Sequence, residues 1–146
     1  MNEQLVNALK VVLADHYALY FKAQGYHWNV EGKNFPQYHD FYAMVYGDAV
    51  GAVDMIAENI RKLQVYAPFK MSRMMELTTI SETEVASDCE SMNADLLMAV
   101  EAAIVTVNAA FDAADAAKEQ GIADDMAARD GSLKKIAWQL RSTLKG

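Results

Sequence analysis

Apolar residues recur at three- and four-residue steps from the first turns of the chain: Leu5, Leu9, Val12, Leu13, Leu19, Tyr20 and Ala23. That step lines one face of a helix, so the spacing predicts a helix over residues 3–28. Gly25 costs about 1 kcal/mol against Ala in a helix and predicts some loosening near its end. Residues 29–34, with Gly32 and two asparagines, read as a tight connection. Pro36 suits the first turn of a second helix, which runs to Leu63 or Gln64. Pro68 breaks the chain again, and residues 71–77 suffice for one short helix. Two capping boxes compete for the next start, Ser81 with Glu84 and Ser87 with Glu90. The second precedes the longer stripe of Met92, Leu96, Ala99, Ala103, Val107 and Ala110. It predicts a helix over residues 88–120 closed by Gly121, and a last helix over 123–144. Four long helices with one longer connection after the second predict an all-α four-helix bundle, a single domain over residues 1–146.

Composition narrows the class without changing the fold. Only 2 prolines and 7 glycines leave little room for the turns of a many-stranded sheet. A hydrophobic share of 53% with 10% aromatics excludes a disordered acidic tail. No uninterrupted apolar run approaches the roughly 18–20 residues that span a bilayer. The start of the chain has no basic stretch followed by a small-residue cleavage site, and the lone Cys89 cannot form an internal disulfide. These features predict a cytoplasmic protein with no membrane contact. A formal charge of −7 argues against nucleic acid as a partner, because phosphate binding needs clustered Lys and Arg.

Three histidines, His16, His27 and His39, are the candidates for metal chemistry. His27 ends the first helix and His39 lies in the first turns of the second, so an antiparallel hairpin brings both to one end. Farther along the second helix stand Asp54 and Glu58, at i and i+4. Taken alone, these carboxylates read as a solvated stripe beside Arg61 and Lys62. Imidazole nitrogen with carboxylate oxygen suits iron, zinc or manganese. Yet Asp54 is fifteen residues from His39, roughly 22 Å along a helix, so the four cannot close a site within one chain. None of the histidines has a Glu three positions before it, as the Glu-x-x-His pairs of intrachain di-iron bundles require. Two copies of the second helix, antiparallel about a twofold axis, would bring each histidine end to the other chain's Asp54 and Glu58. His16, beside Asp15, lies off this set and reads as structural.

At these residues the chain resembles the Dps proteins, or mini-ferritins. The stretch Tyr26-His27-Trp28-Asn29-Val30-Glu31-Gly32, then Phe35 and His39, then Asp54-Met55-Ile56-Ala57-Glu58, is similar to the family's ferroxidase signature. The likeness continues from Leu13-Ala14-Asp15 to Tyr20 and over Lys135-Ile136-Ala137-Trp138-Gln139-Leu140-Arg141. The resemblance implies a ferritin-like bundle with a short extra helix in the connection between the second and third helices. It also implies a hollow homododecamer with iron sites at twofold interfaces. Asp54 and Glu58 of one subunit, with His27 of its neighbour, would bind the first iron, and Glu58 would reach towards a second near His39. Fe(II) would be oxidised by hydrogen peroxide and stored as ferric oxide. Trp28 would intercept one-electron oxidants, or serve as a plain interface aromatic. Asp124, with Asp115 and Glu119 nearby, falls where the family's carboxylates line threefold pores; the other reading is surface acids around a helix break.

Two departures qualify what the resemblance implies. The family places Asp four residues after the second histidine, and here that residue is Ala43. The second iron would then rest on His39, Glu58 and water, which leaves open a weakly catalytic or non-catalytic cage that only binds metal. The family's lysine-rich N-terminal extension also has no counterpart here, since Lys10 is the first basic residue. The one basic segment, residues 132–146, carries Lys134, Lys135, Arg141 and Lys145. DNA binding is therefore not expected.

Overall fold

The computed structural model describes residues 2–145. Five helices carry the chain: α1 (Glu3–Asn29), α2 (Phe35–Lys62), α3 (Met71–Leu77), α4 (Cys89–Ala116) and α5 (Gln120–Thr143). Among the described residues the only β feature is an isolated parallel bridge between Glu31 and Asp88. Asn2 caps α1 by accepting from the Leu5 N–H at 3.1 Å. The helix then passes through Gly25 without a break, and the Asn29 side-chain amide donates back to the Gly25 carbonyl at 2.9 Å. Gly32 takes φ +123° in the α1–α2 turn, a conformation that a side chain would strain. Pro36 sits in the first turn of α2, where its missing N–H is no loss.

The start of α4 falls within one residue of expectation but under a different cap, whereas the end of α4 and the start of α5 both come earlier than expected. The start of α4 is capped by neither serine: the Asp88 carboxylate accepts from Ser91 N–H at 2.8 Å, and the Ser87 carbonyl is taken by Glu31 N–H, also at 2.8 Å. At the other end α4 stops at Ala116, ahead of Gly121, because Lys118 adopts the left-handed conformation at φ 59°. Lys118 N–H bonds to the Asp115 carbonyl and Glu119 N–H to the Ala114 carbonyl, the paired bonds of a Schellman stop. Gln64, at φ 70°, closes α2 with the same pattern. Gly121 instead lies in the first turn of α5.

Cross-helix bonds give the topology. Lys22 of α1 meets Asp95 of α4, and Asp15 meets Thr106, so these helices run antiparallel. Asp48 of α2 meets Arg129 of α5, and Asn59 meets Asp125, which sets a second antiparallel pair. The connection through α3 therefore carries the chain back along the bundle, and α2 and α4 start at the same end. Leucine, isoleucine, valine and alanine from all four long helices fill the core, with Leu5, Leu9, Leu19, Ile56, Ile60, Leu96 and Leu140 fully enclosed. Each such leucine or isoleucine contributes roughly 1.5–3 kcal/mol. By length and composition α4 is apolar enough to cross a membrane. Here one face of it packs into the bundle, and its Asp95 is ion-paired with Lys22.

Candidate metal centre

The histidine end of the bundle is built by the α1–α2 hairpin. His27, in the last turn of α1, and His39, early in α2, stack face to face with ring centres 3.7 Å apart and planes 14° apart. Each donates from Nδ1 to the other's backbone carbonyl: His27 to His39 at 2.5 Å, His39 to His27 at 2.7 Å. These crossed bonds bear on metal binding. With the proton held on Nδ1, each neutral imidazole keeps its lone pair on Nε2, the atom free to ligate. Phe35 stacks on the far side of His39 at 5.0 Å, and Tyr46 meets His27 edge-on at 5.3 Å. Both rings are thus held in place while remaining half-exposed. Trp28 points outward and is 66% exposed.

Asp54 and Glu58 lie farther along α2, both exposed, one turn apart. Among the described residues neither has an ion pair or hydrogen-bond partner, so both are free to ligate. Asp54 opens into a groove of about 1050 Å³ between α1, α3 and the connection before α4. Its apolar lining includes Tyr17, Phe21, Phe69, Met71 and Met75. Among the described residues of one chain no three His, Cys, Asp or Glu side chains converge on a common point. Within one chain the histidine pair and the carboxylate pair lie apart. Ala43, one turn beyond His39, is half-buried and offers no ligand. Asp48 cannot replace the missing carboxylate, because the Arg129 guanidinium holds both its oxygens at 3.2 and 2.8 Å.

His16 is a different kind of histidine. Fully buried, it donates from Nδ1 to the Val12 carbonyl at 2.9 Å and accepts at Nε2 from Arg129 Nε at 3.1 Å. Burial, reinforced by the Arg129 charge, lowers its pKa to about 4. Both nitrogens are used, and it is structural, as its position off the ligand set implied. Beside it the buried Asp15 accepts from Thr78, Thr79 and Thr106, which ties the connection onto α1 and α4. Sequence reading passed over Arg129, although it sits in the apolar stripe Ile122, Met126, Leu133, Ile136, and a charge in such a stripe signals a buried partner. It likewise passed over Asp95, which gathers Lys22 at 2.5 Å, Thr83 at 2.7 Å and the Tyr26 phenol. Desolvation and that bond push the Tyr26 pKa well above the usual tyrosine range.

At the opposite end of the bundle the α4–α5 turn carries Asp115, Glu119 and Asp124, all exposed, with Lys118 among them. The basic segment near the end of α5 is partly neutralised, Lys134 pairing with Asp130 at 3.1 Å.

A helical bundle of this topology, with its candidate ligands divided between two separate groups, defines a class, and comparison with known proteins identifies it. A family model described as a ferritin-like domain matches residues 6–146. A low temperature-induced protein of Nostoc sp. is 33% identical over 146 residues, covering 97% of this chain and 80% of that protein. The DNA protection during starvation protein 2 of Bacillus anthracis is 26% identical over 99% of both chains. The Dps protein of Vibrio cholerae, described as one of the ferritin-like diiron-carboxylate proteins, superposes with a TM-score of 0.93 at 26% identity, over 99% of this chain and 91% of that one. The chain belongs to the ferritin-like family and, within it, to the Dps proteins.

Proposed function

We propose that this chain is an iron-storage mini-ferritin that takes Fe(II) as its substrate, oxidises it with hydrogen peroxide and keeps the ferric oxide inside a hollow cage of twelve subunits. One observation carries the reading: both Nε2 atoms at the histidine end and both unpaired carboxylates on α2 are free to ligate, yet they stand too far apart to serve one ion within a chain. Two subunits paired antiparallel along α2 unite them. His27 of one subunit and Asp54 and Glu58 of the other hold the first Fe(II). Glu58 reaches towards a second ion beside His39. The two histidines arrive pre-oriented by their crossed bonds, so little side-chain entropy is lost on binding. Nitrogen and carboxylate oxygen suit iron, and the same set accepts zinc or manganese as substitutes. Asp115, Glu119 and Asp124 supply a negative field at the α4–α5 turns that draws cations towards the interior.

Ala43 favours a second reading. Without a carboxylate one turn after His39, the second ion has a weaker seat, and a cage that binds metal but turns over slowly is the alternative. One experiment tests both readings: the purified protein is loaded anaerobically with Fe(II), peroxide is added, and iron per subunit and ferric absorbance are followed. Hundreds of irons per assembly, held as soluble ferric oxide, are expected. A few bound irons without mineral would favour the alternative, and a monomer on size-exclusion chromatography would sink both.

A further inference from the structure

The short helix α3 is unlike the four long ones, because it buries no residue. Three of its seven residues are nonetheless methionines, Met71, Met74 and Met75. Methionines that fill a core are enclosed by it. Here Met71 is 74% and Met75 67% exposed, and Met74 alone of the three packs against the bundle. Positions i, i+3 and i+4 of a helix are neighbours on one face. All three side chains accordingly line the groove between α1, α3 and the connection before α4. Tyr17, Phe21 and Phe69 make the surrounding wall apolar, and Lys22, which also lines it, is neutralised by Asp95.

A thioether is a soft, uncharged donor. It selects Cu(I), whereas imidazole and carboxylate suit Fe(II) and Mn(II). Asp54 lines the same groove but offers hard oxygen, so it does not compete for the same ion. Methionine is also adaptable in a way that a short ligand is not. Its three rotatable bonds let sulfurs from residues whose Cβ atoms lie about 5–6 Å apart converge on one ion.

We propose that Met71, Met74 and Met75 form a three-thioether site that takes Cu(I), separate from the candidate iron ligands. The site belongs to one helix of one chain, so it depends neither on the iron reading nor on how subunits pair. A pH signature follows from the donors. Metal affinity varies with pH where a ligand must first lose a proton, and a thioether has none to lose. Cu(I) held by sulfur therefore stays bound as the solution is acidified through the histidine range, while an ion held by imidazole is released.

The test loads the intact protein with Cu(I) anaerobically in ascorbate and lets bathocuproine disulfonate, a coloured Cu(I) chelator, compete for the ion. The parent is expected to hold one Cu(I) per subunit, with a sulfur shell in X-ray absorption, and to keep it in excess Zn(II). Met71→Leu combined with Met75→Leu should weaken binding by roughly tenfold or more, at least what loss of an outer partner costs a metal site. The triple variant with Met74→Leu should lose the ion, whereas His39→Asn should retain it. Leucine conserves volume and apolarity, and far-ultraviolet dichroism with elution volume confirms fold and assembly. Copper held by nitrogen or oxygen, copper released on acidification through the histidine range, or copper retained in the folded triple variant overturns the proposal. A parent stripped completely by the chelator overturns it as well.

Discussion

His16 and His27 stand on the same helix, and their surroundings give them opposite capacities. Both donate from Nδ1 to a backbone carbonyl, so both present Nε2 as the remaining lone pair. In the middle of α1 that lone pair is spent on Arg129, inside the buried core. At the end of α1 it is open, and the ring is steadied by stacking rather than enclosure. The histidine that holds the bundle together is thus inert as a ligand, and the histidine that can ligate contributes little to the bundle. What separates the two is the state of Nε2.

The largest effect expected from breaking this contrast is at Arg129. Arg129→Met leaves His16 Nε2 without a donor and Asp48 without its bidentate partner, and should lower the unfolding free energy by about 3 kcal/mol, read from urea midpoints. Acid should probe the same cluster almost as strongly. The His16 pKa is about 4 in the fold against 6.5 in the open chain. The unfolded chain therefore binds this proton first. The stability that neutral His16 contributes is complete above pH 6.5, is lost as pH falls towards 4, and amounts to about 3 kcal/mol. Urea midpoints measured across that window should fall more steeply for the parent than for His16→Asn.

Smaller effects belong to the open end. Ala43→Asp should tighten a second Fe(II) by roughly tenfold, the scale on which even outer partners act on a metal, read as iron bound per subunit. Identical stoichiometry and oxidation rate would show that the weak seat lies elsewhere. His39→Asn breaks one of the crossed bonds and should change unfolding by only about 1 kcal/mol while lowering iron uptake. The smallest shift concerns nucleic acid: with a formal charge of −7 this chain should not retard duplex DNA at about 0.15 M salt.

Much of this contrast was legible in the sequence, and what was hidden has a physical reason. Helical periodicity gave the four long helices because the core is lined by residues three and four apart, while the short α3, which buries no residue, was legible only as a stretch after Pro68 long enough for one short helix. The end of α4 was misplaced because Lys118, not a glycine, takes the left-handed position, and tertiary packing overrode the local preference. The twelve-residue spacing of His27 and His39 put them at one end of a hairpin, and the reach of α2 showed that Asp54 and Glu58 lie too far to join them. The crossed Nδ1 bonds, by contrast, depend on how the two helices meet, which no spacing encodes. The same is true of the Asp48–Arg129–His16 cluster, which draws on three helices.

The central claim is that one subunit supplies the histidine and its neighbour the carboxylates. Mixed assemblies test it most directly: His27→Ala and Glu58→Ala chains are purified separately, each scored for Fe(II) oxidation, then co-assembled and scored again. In a mixed pair, one shared site carries both defects and the other carries none. The account predicts that each variant alone is inactive and that the mixture regains a substantial part of the parent rate. A mixture as inactive as its components would contradict it.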